Sequence, residues 1–160
     1  MWVKGILDED FINYKLPSLF ICTAVCSFKC DKESGEQCCQ NSSLAEDTGV
    51  IVSNDYIIQK RYLANDITKA IVFGGLEPFD QFDEVFNFIR MLRLKYECFD
   101  PVVIYTGYNK EEIEQEIYML SSFPNIIVKF GRFIPHQEKH KDKILGVELA
   151  SPNQYAEVIS

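Results

Sequence analysis

Four short apolar runs, residues 16–25, 69–73, 101–105 and 125–130, punctuate the sequence, and between the last three the apolar residues recur every third or fourth position. Short apolar runs bounded by turn residues predict buried strands, whereas the three-and-four spacing predicts amphipathic helices. Over 80–97 the positions Phe82, Val85, Phe86, Ile89, Leu92 and Tyr96 make one stripe. Behind an Asn109 cap, Ile113, Ile117 and Leu120 make a second, with Glu111, Glu112, Glu114 and Glu116 on the wet face. Ser53-Asn54-Asp55 caps a further helix running to about residue 65. Strands alternating with helices in this way predict right-handed βαβ units, and hence an α/β fold with a parallel sheet of βα repeats. The rest reads as irregular: 1–14 a lead-in, 31–40 a polar loop around Gly35, 42–52 unpatterned, and 131–160 a tail with at most one strand, near 144–148.

A chain of 160 residues reads as a single domain, 1–160, with enough apolar residues to build a core unaided by disulfides. Its net charge of −8 and the absence of a basic stripe argue against nucleic acid as a partner. No run approaches the roughly 20 apolar residues that span a bilayer, and residues 1–9 do not resemble a signal segment. The expected location is cytoplasmic, where thiols stay reduced and clustered cysteines serve metal or redox chemistry rather than a disulfide scaffold.

Five of the six cysteines, Cys22, Cys26, Cys30, Cys38 and Cys39, follow one another closely at the end of the first apolar run and beyond it. They therefore sit at a strand's C-terminal end, where α/β folds bind ligands. If the strands are parallel, Gly74-Gly75, Thr106-Gly107 and the segment after Phe130 share the same rim, so four separated features converge on one pocket. Thiolates bind both iron and zinc. The spacings Cys22-x3-Cys26-x3-Cys30 and Cys38-Cys39 contain no Cys-x2-Cys pair, which favours an iron-sulfur cluster over zinc, with unliganded core thiols as the plainer alternative.

Gly74-Gly75-Leu76-Glu77-Pro78 suits close approach of backbone to a ligand, with a carboxylate and free carbonyls to hold an ammonium group; alone it reads equally as a tight strand-to-helix turn. Thr106 is placed either to meet a ribose or carboxylate oxygen or to cap the next turn. His136 and His140 flank Glu138 at helical spacing, but the surrounding Gln137, Lys139, Lys141 and Lys143 favour a solvated loop over a second metal site. Cys98 reads as core.

Taken in order, Cys26-Ser-Phe-Lys-Cys30, Cys39-Gln40-Asn41, Val72-Phe-Gly-Gly-Leu-Glu-Pro78, Ile104-Tyr-Thr-Gly-Tyr108 and Ala150-Ser-Pro-Asn-Gln154 resemble the radical S-adenosylmethionine superfamily, in particular the small activating proteins of anaerobic ribonucleotide reductase. The resemblance covers nearly the whole chain. It implies an incomplete, TIM-like barrel and a [4Fe-4S] cluster held by three cysteines, with one iron left for S-adenosylmethionine. The family's Cys-x3-Cys-x2-Cys spacing is absent here, so two ligand sets remain: Cys22, Cys26 and Cys30, or Cys26, Cys30 and Cys39. The likeness of Cys39-Gln40-Asn41 to the family's third ligand favours the second, leaving Cys22 in the strand and Cys38 as a loop thiol or alternative ligand.

The resemblance further implies that Gly74, Gly75 and Glu77 hold the methionyl amine, that Thr106 positions the nucleoside, and that Asn153, with Gln154, lies near the adenosine. Pro152 departs from the small polar residue usual there, and Leu76 is an insertion. The implied reaction is reductive cleavage of S-adenosylmethionine to a 5′-deoxyadenosyl radical, fed by a donor such as flavodoxin or ferredoxin. The expected substrate is a protein, a glycyl-radical enzyme docked on an open rim. Two alternatives stand beside this: a radical tailoring enzyme acting on a peptide or small molecule, and a non-catalytic iron-sulfur or zinc-binding module.

Overall fold

The computed structural model describes residues 1–160 and folds them as a mixed α/β unit. In chain order the strands are β1 (Trp2–Asp10), β2 (Ser18–Thr23), β3 (Val50–Ile51), β4 (Ala70–Gly75), β5 (Val102–Tyr105), β6 (Ile126–Phe130), β7 (His140–Lys141), β8 (Glu148–Leu149) and β9 (Tyr155–Val158). Seven of them form one sheet in the order β3-β1-β2-β4-β5-β6-β9, and β7 and β8 form a separate small pair. The four apolar runs are its centre: β2, β4, β5 and β6 are mutually parallel. Residues of β6 are buried throughout and those of β4 nearly so, as befits strands covered on both faces.

The sheet extends beyond the parallel centre at both sides. Residues 1–10, expected as a lead-in, are the antiparallel strand β1, with a register shift between Val3 and Gly5. Residues 155–158, expected as irregular tail, are β9, antiparallel to β6. Both carry polar residues that suit the margin of a sheet and mask the alternation by which strands are recognised. The sheet stays open, with β3 and β9 at its two ends.

The long helix is α4 (Phe82–Leu94), entered through a 3-10 turn, Pro78–Gln81. Its Val85, Phe88, Ile89 and Leu92 pack on one face of the sheet, where Phe73 and Phe88 meet edge to face at 5.3 Å. Asn109 caps the turn Lys110–Glu112 reciprocally with Glu112, ahead of a helix at Glu114–Leu120. The Ser53 hydroxyl accepts from the Tyr56 amide and opens Asn54–Tyr56, which runs on as a wider π-helical stretch, Ile57–Tyr62. Two short helices complete the set, Lys29–Ser34 and Ser42–Glu46, in segments expected to be irregular. In chain order the α-helices are thus α1 (Lys29–Ser34), α2 (Ser42–Glu46), α3 (Asn54–Tyr56), α4 and α5 (Glu114–Leu120).

The opposite face of the sheet is covered by the chain's own loops. Tyr14, Leu145 and Leu149 pack there against Ala70, Val72, Val103 and Ile127. Asp142 pins this cover: its carboxylate accepts from the amides of Ile144 and Leu145, both at 2.8 Å, and from Ala156 of β9 at 3.0 Å. Gly146 lies at φ +77° against Lys15, whose amide donates to the Leu145 carbonyl at 2.8 Å. Replacing Asp142 by Ala strands three amides, two of them buried, and is expected to cost about 3 kcal/mol of unfolding free energy in urea titrations.

Candidate metal centre

The C-terminal ends of the four parallel strands enclose a cavity of about 480 Å³, within the range of small-molecule sites. All four rim features meet in it: Cys22, Cys26, Cys30 and Cys39; Gly74, Gly75 and Glu77; Thr106 and Gly107; and Gly131 after β6. The tail contributes Gln154.

The cysteine loop is held at both of its turns. Where β2 ends, Gln81 Oε1 accepts from the amides of Ala24 and Val25, at 2.7 and 3.2 Å, while its Nε2 donates to the Trp2 carbonyl. Asp80 accepts from the Ser27 amide at 2.5 Å and from the Tyr108 hydroxyl at 2.5 Å. Phe28 then adopts φ +53°, an uncommon conformation for a bulky residue, and its amide stands 3.3 Å from Cys26 Sγ. Strained backbone of this kind persists where the surroundings enforce it, most often at functional sites.

Cys30 lies in α1, which Gly35 closes at φ +73°. The Asp31 carboxylate, one residue on, accepts from the amides of Cys38 and Cys39 at 2.9 and 2.8 Å, and so folds the chain back to bring Cys39 beside Cys30. Asn41 Nδ2 donates to the Gly75 carbonyl at 2.6 Å and ties this return to the sheet. A single acidic side chain thus joins cysteines that the sequence separates by a loop.

Cys26, Cys30 and Cys39 line the cavity from the loop beyond β2. The Phe28 amide stands on the Cys26 sulfur, and backbone amides at Phe133 and Asn41 offset part of the burial that raises Cys30 and Cys39. Nearby thiols add to this rise: Cys39 raises Cys26 and Cys30, and Cys38 raises Cys30 and Cys39. Cys22 lines the same cavity from within β2, but burial and Asp10 alone raise its pKa. Cys38 is outside the lining and its sulfur accepts from the Ser34 hydroxyl at 3.3 Å. Burial raises all three of the first set, Cys26 to about 11, so as bare thiols they are poor nucleophiles. All six cysteines are free, and no three His, Cys, Asp or Glu side chains close on a single ion. Thiols spread around a cavity wall fit a cluster, whose ligand sulfurs stand further apart than those of one ion.

Glu77 is the brace of the rim. It is 8% exposed and accepts from Thr106 Oγ1 at 2.7 Å, from the Gly107 amide at 2.8 Å and from the Phe79 amide at 3.1 Å. Burial pushes its pKa up to about 7 against the pull of these three donors. Thr106, expected beside a nucleoside, spends its hydroxyl proton on Glu77 and accepts from the Tyr108 amide. The carbonyls of Gly74 and Gly75, expected to be free, accept from Thr23 and Asn41. Gly75 has φ +83°, and a Cβ there would stand 2.9 Å from the Cys22 backbone, so glycine is required. Asn153 is not in the cavity lining; its amide donates to the Arg132 carbonyl at 2.8 Å. Gln154 lines the cavity, held by the Ala150 amide and the Gly131 carbonyl. His136 is solvated, with a side chain 88% exposed, and His140 lies in the separate β7-β8 pair.

Lys129, which the sequence does not single out, lines the cavity from the next-to-last position of β6 and is 6% exposed. Its ammonium donates to the Gly131 carbonyl at 2.9 Å and has no carboxylate within ion-pair distance. Burial lowers its pKa to about 8. The signal was one cation inside an otherwise apolar strand, a position that carries a cost unless an anion meets it.

Beside the cavity, Arg132 forms a two-pronged ion pair with Glu112, both contacts at 2.7 Å, and holds that carboxyl down to about 2 from an ordinary 4.5. The unfolded chain therefore takes up the proton first as pH falls. The pair's contribution is present above 4.5 and is lost as pH drops through about 2. Glu112→Gln is expected to flatten this acid limb when urea midpoints are measured from about pH 5 down to about pH 2.

Comparison with curated proteins gives no match, and comparison with solved structures gives none. The family model of a 4Fe-4S single cluster domain matches residues 18–154, from the first residue of β2 to Gln154 at the cavity. That span holds all five loop cysteines and every parallel strand. The chain belongs to the 4Fe-4S single cluster domain family.

Proposed function

We propose that this protein is a radical S-adenosylmethionine enzyme whose cluster is held by Cys26, Cys30 and Cys39. The observation that carries the reading is the meeting, in one cavity, of these three cysteines with a buried ammonium that has no carboxylate partner and a glycine-lined rim. Three thiolates leave one iron of a four-iron cluster without a protein ligand. When bound, such a cluster passes one electron to the sulfonium of S-adenosylmethionine, which leaves as methionine and a 5′-deoxyadenosyl radical. The four parallel strands are then the arc of an incomplete TIM-like barrel, with its ligands at the C-terminal ends.

The protein's own part is binding and orientation. Lys129 is the group suited to a ligand carboxylate, since an anion would meet its buried charge. Gly74 and Gly75 let the backbone approach without side chains in the way. Glu77 holds the Thr106-Gly107 turn in place, and Gln154 presents its amide at the tail side of the cavity. A cavity on the rim of an open sheet supports a protein substrate, and we assign the activity to activation of a glycyl-radical enzyme, with a flavodoxin or ferredoxin as electron donor.

The test is anaerobic reconstitution with iron and sulfide, reduction with dithionite, and assay of 5′-deoxyadenosine from S-adenosylmethionine. Release of that product is expected. An iron-loaded, reducible protein that releases none would mark a non-catalytic module. Release without any glycyl radical on a co-incubated anaerobic reductase would favour a tailoring enzyme instead.

A further inference from the structure

The Ser27-Phe28 turn, between the first two cluster cysteines, is shaped from outside the cysteine loop. Phe28 holds φ +53° and sets its amide 3.3 Å from Cys26 Sγ, a conformation that a bulky residue keeps only where its surroundings enforce it. α1 begins at the next residue, and no side chain caps its first turn. The enforcement comes through Tyr108, just beyond β5. Its hydroxyl donates to Asp80 Oδ1 at 2.5 Å, and Asp80 Oδ2 accepts from the Ser27 amide at 2.5 Å. Its ring meets the Lys29 ammonium 4.1 Å from the centroid, so the residues on both sides of Phe28 are held by one side chain.

Tyr108 is itself fixed. Its amide donates to Thr106 Oγ1 and its carbonyl accepts from the Gly131 amide, both at 3.0 Å. Thr106 donates to Glu77, whose own carbonyl accepts from the Asp80 amide at 3.1 Å. These bonds close a circuit between the turns that follow β4 and β5, and the circuit orients the Asp80 carboxylate toward Ser27. Phenylalanine at 108 would keep the ring beneath Lys29 and open the circuit at the bond to Asp80.

We propose that Tyr108 is a positioning residue for the cluster: acting through Asp80 on the Ser27 amide, it keeps the Phe28 amide on the Cys26 sulfur and so raises the reduction potential of the bound cluster. This rests on the cluster assignment above, and Cys26 belongs to both of the ligand sets that the sequence allows. An added electron increases negative charge on the cluster's sulfurs, so an N–H donor stabilises the reduced form more than the oxidised one.

Dithionite titration of reconstituted full-length protein, read by electron paramagnetic resonance, compares wild type, Tyr108→Phe and Tyr108→Leu, with anaerobic hydrogen exchange of residues 26–30 measured on the same samples. At equal iron and sulfide content Tyr108→Phe, which removes a hydroxyl and no charge, is expected to lower the midpoint potential, alter the reduced-state spectrum and speed exchange in 26–30 while β4 exchanges as before. Tyr108→Leu also takes the ring from Lys29 and is expected to shift further the same way. A wild-type potential in Tyr108→Phe overturns the proposal. A lowered potential with wild-type exchange overturns it too, because Tyr108 would then act only on the charge of Asp80. If Tyr108→Leu fails to load, Tyr108→Phe decides. If neither loads, hydrogen exchange of the cluster-free chains decides: faster exchange confined to 26–30 supports the positioning role, and unchanged exchange overturns it. A wild type without iron-sulfur absorbance sinks the cluster assignment itself, a failure visible before any variant is compared.

Discussion

Cys39→Ala is expected to emerge from anaerobic reconstitution without the broad visible absorbance of a [4Fe-4S] cluster, while Cys38→Ala, altered one residue earlier, loads iron and sulfide like the wild type. The two thiols share the same acceptor for their amides, Asp31, but their side chains part company: Cys39 lines the cavity and Cys38 turns to Ser34. Loss of one thiolate from a set of three leaves two irons without protein ligands, so the effect on cluster content is expected to be near complete. Cys26→Ala and Cys30→Ala should match Cys39→Ala, and Cys22→Ala should match Cys38→Ala. Normal iron in Cys39→Ala together with none in Cys22→Ala would transfer the third ligand to β2 and reverse the assignment.

Glu77→Ala is expected to lower unfolding stability by about 3 kcal/mol and to abolish 5′-deoxyadenosine release. The carboxylate is the common acceptor for a hydroxyl and two amides from two segments of the rim, and alanine leaves them facing an apolar gap. Glu77→Gln is expected to fall between wild type and Glu77→Ala, because its NH2 group meets a donor, Gly107 N or Thr106 Oγ1, where the native oxygen accepts. Urea midpoints and product assays measure both effects. An unchanged midpoint in Glu77→Ala would show the brace to be dispensable.

What the sequence carries legibly is whatever rests on local pattern. The buried strands β4, β5 and β6 announce themselves by continuous apolar runs, α4 by its stripe, and the Asn109 and Ser53 caps by residue type. The glycine pair at the end of β4 is visible as a motif, although its carbonyls prove to be engaged. Contacts between distant segments leave no such trace. Gln81 reaches back to the start of the cysteine loop, Asp31 folds Cys39 beside Cys30, and Arg132 binds two carboxylates far from it in sequence. In the sequence these are ordinary polar residues in polar stretches. β1 and β9 are obscured differently, since strands at or next to the margin of a sheet need not be apolar.

The loops packed on the sheet also wall the reaction space. Leu149, set with Tyr14 and Leu145 against Ala70, Val72, Val103 and Ile127, lines the cavity as well, with Glu148 and Ala150 on either side of it. One stretch of chain is thus both the underside of the fold and a wall of the ligand space, so a change that loosens it strikes stability and ligand capture together.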